Sequence, residues 1–553
     1  MRLSGFRVSR IVTLTSAVLL AFTSDVFASV AQMGTVLAPI SRVELQTAEI
    51  SAYMPAQKLL FVVGGEKVLE ILDLKHPEKP QKLESQQIVG QGSSVSVSGD
   101  LLAVSSLADE NSDTGYVEVF RVVPSAATLG AATSGPETAP LQKLAEFRPC
   151  HQPDMITFTP DGKKLLVACE GSPRKDFSAD PPGGIAIITL PATPSSGEAT
   201  AALTSGEAAS GPTSSAPANF AQSTTVNVLG FDGLDSTALK TAGVRRVGTA
   251  PYLKTLEPEY ITVSEDSKTA WVSLQENNAI AKVDLVAERI TNVIPLGTVD
   301  HSQSGFGLDV KSDGKIDIVN VPVLGLRQPD GIAALTAGGK NFIFTANEGA
   351  PVNDYKQWTD ETSVHMLQEA GKLDPKFFDE KVLAQLQDLT VSRIDECPEV
   401  KSGKCPYVTS FGTRSLSIFD GESGKLLWDS GDQLERMFAK VAPEYFNWNA
   451  KKKKKVKMDA RSADKGCEPE NVTLGMVGDK RYAFLGLERM SGVAVFDVTD
   501  INSPKLVDYY LDVKDRGPEG LLFVPAAESP IPGQSLLIVG YEYSKSLVIY
   551  KVK

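Results

Sequence analysis

The chain has 553 residues, 42% apolar and 22% charged, the balance of a water-soluble globular protein. With 55 basic against 68 acidic side chains it carries a formal charge of −13, which argues against nucleic acid as a partner, because phosphate binding needs a basic surface. Five cysteines in so long a chain exclude a fold held together by disulfides, and no CxxC or Cys/His cluster points to zinc.

Arg2, Arg7 and Arg10 precede an apolar run from Ile11 to Phe22. Val26-Phe27-Ala28 or Ser29-Val30-Ala31 would suit signal peptidase. Residues 1–28 therefore read as a secretory signal peptide, with an uncleaved membrane anchor as the alternative. No later segment has enough consecutive apolar residues to cross a bilayer. The expectation is an exported protein, periplasmic or extracellular, with no transmembrane segment after cleavage.

A hairpin then recurs along the chain. It is plainest where Pro153-Asp154 opens a short strand over 155–159, Pro160-Asp161-Gly162 turns, and a second strand over 164–169 runs into Glu170. Antiparallel strands place the start of the first beside the end of the second, hence Asp154 beside Glu170. Each hairpin leads to a third strand with period-2 alternation: 68–74, 116–122, 184–190, 279–285, 415–420, 492–498 and 546–552. Fourth strands are predicted at 82–88, 141–147, 225–231, 290–296, 425–429 and 505–511. The fold class that follows is all-β, a seven-bladed β-propeller forming one domain over 36–553. The seventh repeat ends with the chain, and the segment Val36–Leu45 has no repeat of its own. It is predicted to supply the missing outer strand and close the ring.

Insertions separate the repeats at 124–140, 191–222, 350–408 and 447–460. The first two are rich in Ala, Ser, Thr, Gly and Pro and read as flexible loops. Residues 350–408 carry Trp358, a helical-looking stretch from Asp374 to Asp388, and Cys397 and Cys405, which are expected to pair. A small ordered lid is predicted there. Cys150, Cys169 and Cys467 are left over; at least one of them must be free or intermolecular, their pairing stays open, and inert packing is the plainer reading of all three. The run from Lys451 to Lys455 is either a solvated loop or a local contact for anions or a membrane surface.

The hairpins carry acids at both open ends. First strands begin at Glu49, Asp154, Glu259, Asp330, Glu470 and Glu519; second strands end at Glu170, Glu276, Glu348, Glu488 and Glu542. The second repeat has Ser94 and Leu107 at these places, and the first has Gly64 or Gly65 instead of its second acid. In a propeller the first strands line the central channel, so roughly ten like charges would meet at one mouth and raise one another's pKa. All-oxygen donors favour Ca²⁺ or Mg²⁺. The predicted metal ligands are Asp154, Glu170, Glu259, Glu276, Asp330, Glu348, Glu470, Glu488, Glu519 and Glu542, with Ca²⁺ as the expected ion. The alternative is that each acid latches its own blade, accepting backbone N–H bonds and pairing with Arg or Lys. Arg414, Arg461, Lys465, Arg489 and His301 stand near repeat ends and are the candidate ligand-binding residues. Asp309-Val-Lys-Ser-Asp313-Gly314-Lys-Ile316-Asp317 partly matches a calcium loop, but Lys311 takes a ligand position; a turn is the other reading. No Ser-His-Asp order or Gly-x-Ser-x-Gly elbow is present.

Several motifs occur in a specific order. They are Leu256-Glu-Pro-Glu-Tyr260, Leu274-Gln-Glu-Asn-Asn278, Thr345-Ala-Asn-Glu-Gly349, Phe411-Gly-x-Arg-Ser415, Arg461-Ser-x-Asp-Lys-Gly466, Gly486-Leu-Glu-Arg489 and Gly517-Pro-Glu-Gly-Leu521. Together they resemble the choice-of-anchor I family from about Glu44 to Lys553. That family is similar to the mesenchyme-specific cell surface glycoproteins linked to biomineral deposition. The resemblance implies an exported β-propeller, and some members carry the label alkaline phosphatase. Cys467 stands where the family usually has Pro, the lysine run where it has an acidic stretch, and Leu107 where it has an acid. The expected function is binding of a small ligand, a divalent cation or a surface polymer at the acidic mouth. The alternatives are a metal-dependent phosphoesterase, whose bound cations would position phosphate and activate water, and a glycosidase-like use of paired carboxylates.

Overall fold

The computed structural model describes residues 30–109, 113–123, 141–173, 178–191, 216–352, 358–395, 404–452 and 456–553. The expected signal peptide, the insertion 124–140, most of 191–222 and part of the lysine run lie outside them. Among the described residues the structure is all-β in character, with seven antiparallel sheets of four or five strands. Their first strands are Ile50–Met54, Gln91–Ser98, Pro153–Phe158, Ile261–Val263, Ile332–Ala337, Pro469–Val477 and Pro518–Val524. Each of these strands packs beside the first strand of the next sheet, and that of the seventh packs beside that of the first.

The physical basis is strand periodicity with both faces covered. On Leu59–Val63 every residue is buried. Phe61 and Val63 face a core shared with Leu102 and Val104 of the second sheet. Leu60 and Val62 face a core shared with Ile538 and Leu547 of the seventh. The same division repeats between the other neighbouring sheets. A strand buried on two faces reads as a continuous apolar run, which is what the second strands look like in the sequence.

Leu37–Glu44 pairs with Ser546–Val552 and forms the outer edge of the seventh sheet. Fourth strands lie at Leu141–Phe147, Thr225–Leu229, Arg289–Pro295, Leu426–Asp429 and Lys505–Asp512, close to the expected positions. In the first sheet the fourth strand is broken into Gln81–Lys82 and Gln86–Gln87. An unanticipated strand, Val30–Met33, adds a fifth strand to the sixth sheet beside Lys505–Asp512.

The 350–408 insertion has its own small core of Val364, Leu373, Phe378, Leu386 and Val391, packed on Val321 and Val323. The helix expected from Asp374 to Asp388 is confined to Glu380–Leu386. Asp374 accepts from Lys376 N in a turn, and Asp379 caps the helix by accepting from Val382 N. Residues 447–460 are not a simple insertion. Trp448 and Ala450 are buried with Phe438, Tyr445 and Phe446 against the fifth and sixth sheets. Cys150 and Cys169, whose pairing is open in the sequence, form a disulfide with a Cα–Cα distance of 5.8 Å. Pairing of Pro153 with Cys169 brings the residues just before the hairpin alongside its end. Cys467 is free and buried. Cys405 is disulfide-bonded; its expected partner Cys397 lies outside the described residues. No helix among the described residues is long and apolar enough to cross a membrane.

Candidate functional site: a ring of acids at the hairpin ends

A β-bulge places the acids. In the third sheet the register runs from Pro153 opposite Cys169 to Ile156 opposite Val167. In the sixth it runs from Pro469 opposite Leu487 to Val472 opposite Leu485, and in the seventh from Pro518 opposite Tyr541 to Leu521 opposite Val539. Asp154, Glu470 and Glu519 sit inside these bulges, which bend the strand and re-aim the side chain. The residue before each proline has positive φ: Gln152 at 44°, Glu468 at 53°, Gly517 at 69°. Its carbonyl accepts from the backbone N–H of the acid at the far strand end: Glu170 at 3.1 Å, Glu488 at 2.8 Å, Glu542 at 2.8 Å. Each hairpin is thus latched by backbone, and its carboxylates are left to face elsewhere.

They face a common space. A cavity of about 200 Å³ is lined by Glu49, Asp154, Asp330 and Glu519, together with Asn471 and Tyr260. Leu107 and Gly65 stand in its wall where acids are missing from the repeat. Around it, carboxylate oxygens fall within 4.8 Å of one another in three overlapping groups: Asp330–Glu348–Glu470, Glu348–Glu468–Glu488 and Glu488–Glu519–Glu542.

On one side cations neutralise the acids. The Glu468 carboxylate accepts from Arg461 Nε at 2.8 Å, and Lys465 Nζ lies 3.0 Å from it. Arg489 Nε lies 3.5 Å away, and Arg489 also pairs with Glu488 and with the Tyr543 hydroxyl. Lys465 pairs with Glu348 as well and donates to Gly349 O at 2.7 Å. Although Glu468 is fully buried, these cations hold its pKa down at about 2, and the acids in turn raise that of Lys465.

On the other side acids outweigh the cations near them. Burial, with like charges around it, pushes Asp154 well above the usual carboxylate range; its acidic neighbours are Glu170, Asp330, Glu49 and Glu276. Glu259 is raised in the same way, by burial and then by Glu276, Asp330, Glu170 and Asp154. Burial and Glu170 raise Glu276 to about 8, partly offset by Arg245, which donates to its carbonyl at 2.9 Å. Arg245 itself is held by Asp360 and Asp395 of the 350–408 insertion, at 2.5 and 2.7 Å. Burial raises Glu170, whose carboxylate accepts from Ser172 and, at 3.5 Å, from Gln152. Glu470 and Glu519 are pushed well above the ordinary range by burial and neighbouring acids, and Asp330 rises to about 6. One oxygen each of Glu259, Glu276 and Glu470 is buried without a hydrogen-bond partner.

Arg461, Lys465 and Arg489 therefore stand within the ring, engaged by its acids. Arg414 does not reach it. It is buried, pairs with Glu435 and donates to Asp309 O at 2.8 Å and to Ser462 O at 2.7 Å. His301 is also elsewhere: buried, with Nδ1 2.7 Å from Phe306 O and a pKa lowered to about 4 by burial. Both tie loops together. In the Asp309–Asp317 segment, the Asp309 carboxylate accepts from Lys311 N at 3.2 Å and from Asp317 N at 2.9 Å, which is turn geometry.

Sequence reasoning missed Glu257, Asn471, Tyr260, Tyr543 and the role of Glu468. The repeated Glu-Pro-Glu triplet at 257–259 and 468–470 was the available signal for Glu257 and Glu468.

A family model for the choice-of-anchor I domain matches residues 49–501. A mesenchyme-specific cell surface glycoprotein of Strongylocentrotus purpuratus is 27% identical over 291 residues, 46% of this chain and 36% of the relative's length. Gigasin-3a of Magallana gigas is 23% identical over 173 residues, 28% of this chain and 61% of the relative. The chain thus spans less than two thirds of either curated relative. Among solved structures, hydrazine synthase of Kuenenia stuttgartiensis aligns over 92% of this chain and 97% of its own, at 12% identity and a TM-score of 0.43.

Proposed function

The chain belongs to the choice-of-anchor I family, and we propose that it is an exported seven-bladed β-propeller that holds a divalent cation, Ca²⁺, at the acid-lined mouth of its channel. The cyclic succession of first strands and the outer strand given to the seventh sheet by Leu37–Glu44 support the propeller reading. A disulfide and a cell-surface relative support export.

The observation that carries the cation reading is the unneutralised side of the mouth. Asp154, Asp330 and Glu519, from three different sheets, line one cavity with Glu49, and none of the four forms an ion pair among the described residues. Beside them Glu470, 7% exposed, keeps an oxygen without a partner. Buried like charges are costly unless protons or cations offset them. The donors are all oxygens, and carboxylates with an amide oxygen from Asn471 suit a hard ion that accepts six to eight ligands.

Calcium titration of the EDTA-treated exported protein tests this. Binding to the folded state alone raises stability by about 2.7 kcal/mol at one hundred times the dissociation constant. The expected result is a higher melting temperature with calcium, lost in the Asp330→Asn, Glu470→Gln double variant. Unchanged melting and unchanged protease resistance would sink the reading. The phosphoesterase alternative is read in the same preparation, as hydrolysis of an aryl phosphate that needs calcium and stops with chelator.

A further inference from the structure

A smaller cavity lies beside the ring, where three segments meet. Pro173 and Asp180 come from the loop that follows Cys169, Thr255 and Glu257 from the turn that leads into the fourth sheet, and Val352 and Trp358 from the 350–408 insertion. Its volume is about 10 Å³, room for about one water-sized group. The turn is fixed from behind. Asn277 Oδ1 accepts from Glu257 N at 3.1 Å, and Asn277 Nδ2 donates to Thr255 O at 2.6 Å and to Arg245 O at 3.1 Å. Thr255 Oγ1 donates to Tyr252 O at 2.9 Å, which commits its proton and leaves its lone pairs to accept.

Glu257 has no partner in this arrangement. It is 8% exposed, yet its carboxylate makes no hydrogen bond and no ion pair among the described residues. Unlike the sealed oxygens of Glu259 and Glu276, its oxygens keep accessible surface, and it lines this cavity. The charged groups around it are the acids Glu276, Glu170 and Asp180. Lys254 is close enough to act on Asp180 but makes no ion pair with it. A carboxylate buried this deeply among acids is costly without a compensating cation.

We propose that this cavity binds a primary alkylammonium group. An ammonium head is the size of a water molecule and carries three N–H donors. Glu257, Asp180 and Thr255 Oγ1 offer an acceptor each, and the indole of Trp358, the best aromatic partner for a cation, lines the same space. A guanidinium or a quaternary ammonium is too large for it. Ca²⁺ takes six to eight oxygens, which a lining shared with Pro173 and Val352 does not supply. The same head group ends a free amine and a lysine side chain, and the cavity recognises that shared chemistry. Neither Glu257 nor Asp180 is among the cation ligands of the mouth, so this inference stands apart from the calcium reading.

Saturation-transfer NMR on the full exported chain tests it with cadaverine, Nα-acetyl-lysine N-methylamide and tetramethylammonium. Transfer to at least one primary amine is expected: to cadaverine alone if the site takes free amines, to the lysine amide as well if it takes lysine side chains. The dissociation constant should rise about tenfold in Glu257→Gln, the loss of one charged hydrogen bond. It should rise about fivefold in Trp358→Ala, which serves as the second variant should Glu257→Gln fail to fold. The Asp330→Asn, Glu470→Gln variant of the mouth should bind as the wild type does. No transfer to either primary amine would overturn the proposal. So would equal transfer to tetramethylammonium, the mark of general attraction to an acidic surface, or a loss of binding confined to the mouth variant.

Discussion

The same triplet, Glu-Pro-Glu, occurs at 257–259 and at 468–470, and the two copies behave oppositely. Glu468 is buried yet held at about 2 by Lys465, Arg461 and Arg489. Glu257 is buried and pushed well above the ordinary range, by burial and by Glu276, Glu170 and Asp180. Backbone separates them too, since Glu468 has a φ of 53° and Glu257 is not among the residues at positive φ, but it does not decide their charge. Neighbours do: one copy receives cations from the segment 461–465 and from Arg489, the other receives acids. In this ring the motif fixes position and the inserted segments fix charge.

Removing each first glutamate in turn separates the two copies. Glu468→Gln would leave Arg461, Lys465 and Arg489 short of their shared anion. Breaking a buried charge network of this kind costs about 3–5 kcal/mol. Glu257→Gln removes an acid that has only acids for company, and its cost in calcium-free buffer should stay below about 1 kcal/mol, or become a gain. Urea unfolding of the two variants measures both. Equal losses would mean that the two halves of the ring do not differ as described.

The disulfide tests the acidic half alone. Cys150–Cys169 has a sequence separation of 19 and flanks Asp154 and Glu170. A closed loop of this length stabilises by about 3 kcal/mol. The Cys150→Ala, Cys169→Ala variant should lose about that much and also respond less to calcium. If stability falls while the calcium response is intact, Asp154 and Glu170 do not contribute to the cation site.

How much of this was legible follows from what kind of signal each part leaves. The sheets were readable because strand alternation and turn residues are local, and even the pairing of Leu37–Glu44 with the last strand followed from a missing member of a series. The acids' positions were readable for the same reason. Their register was not: a bulge inserts a residue without a sequence mark, and only the structure places Asp154 and Glu470 inside one. Nor was the sorting of cations. Arg414 and Arg489 look alike as residues beside a strand, yet one is drawn to Glu435 by the helix Gln433–Val441 and the other to Glu488. That helix carries a stripe legible in the sequence, Leu434, Met437 and Phe438 at helical spacing.

Acidity gives the two halves opposite signatures. Glu49, Asp330 and Glu276 have folded-state pKa values of about 7, 6 and 8, above the ordinary value near 4.3 for an unfolded carboxylate. Such groups bind more protons folded than unfolded. Their stabilisation is complete below about pH 4 and is lost as pH rises through 6 to 8. Glu468, at about 2, contributes above about pH 4 and loses its contribution as pH falls toward 2. In EDTA the melting temperature should therefore fall between pH 5 and pH 8, and calcium should flatten that decline. A melting temperature that climbs steadily over this range in EDTA would contradict the uncompensated half.

The smallest effect separates backbone from charge. Gln152, Gln328 and Glu468 all precede a proline at positive φ, 44°, 42° and 53°, whereas the seventh repeat uses Gly517 at 69°. A side chain in this region costs about 1–2 kcal/mol, and glycine avoids it while losing about 0.5–1 kcal/mol of chain entropy on folding. Gln152→Gly should accordingly stabilise by up to about 1 kcal/mol in urea unfolding, since its contact with Glu170 at 3.5 Å is too long to weigh heavily. Glu468→Gly relieves the same backbone strain but deletes the anion at the centre of the compensated half, and it should destabilise strongly. If Gln152→Gly is also destabilising by more than 1 kcal/mol, the Gln152 side chain holds Glu170 in place, and the latch at that hairpin is more than a backbone device.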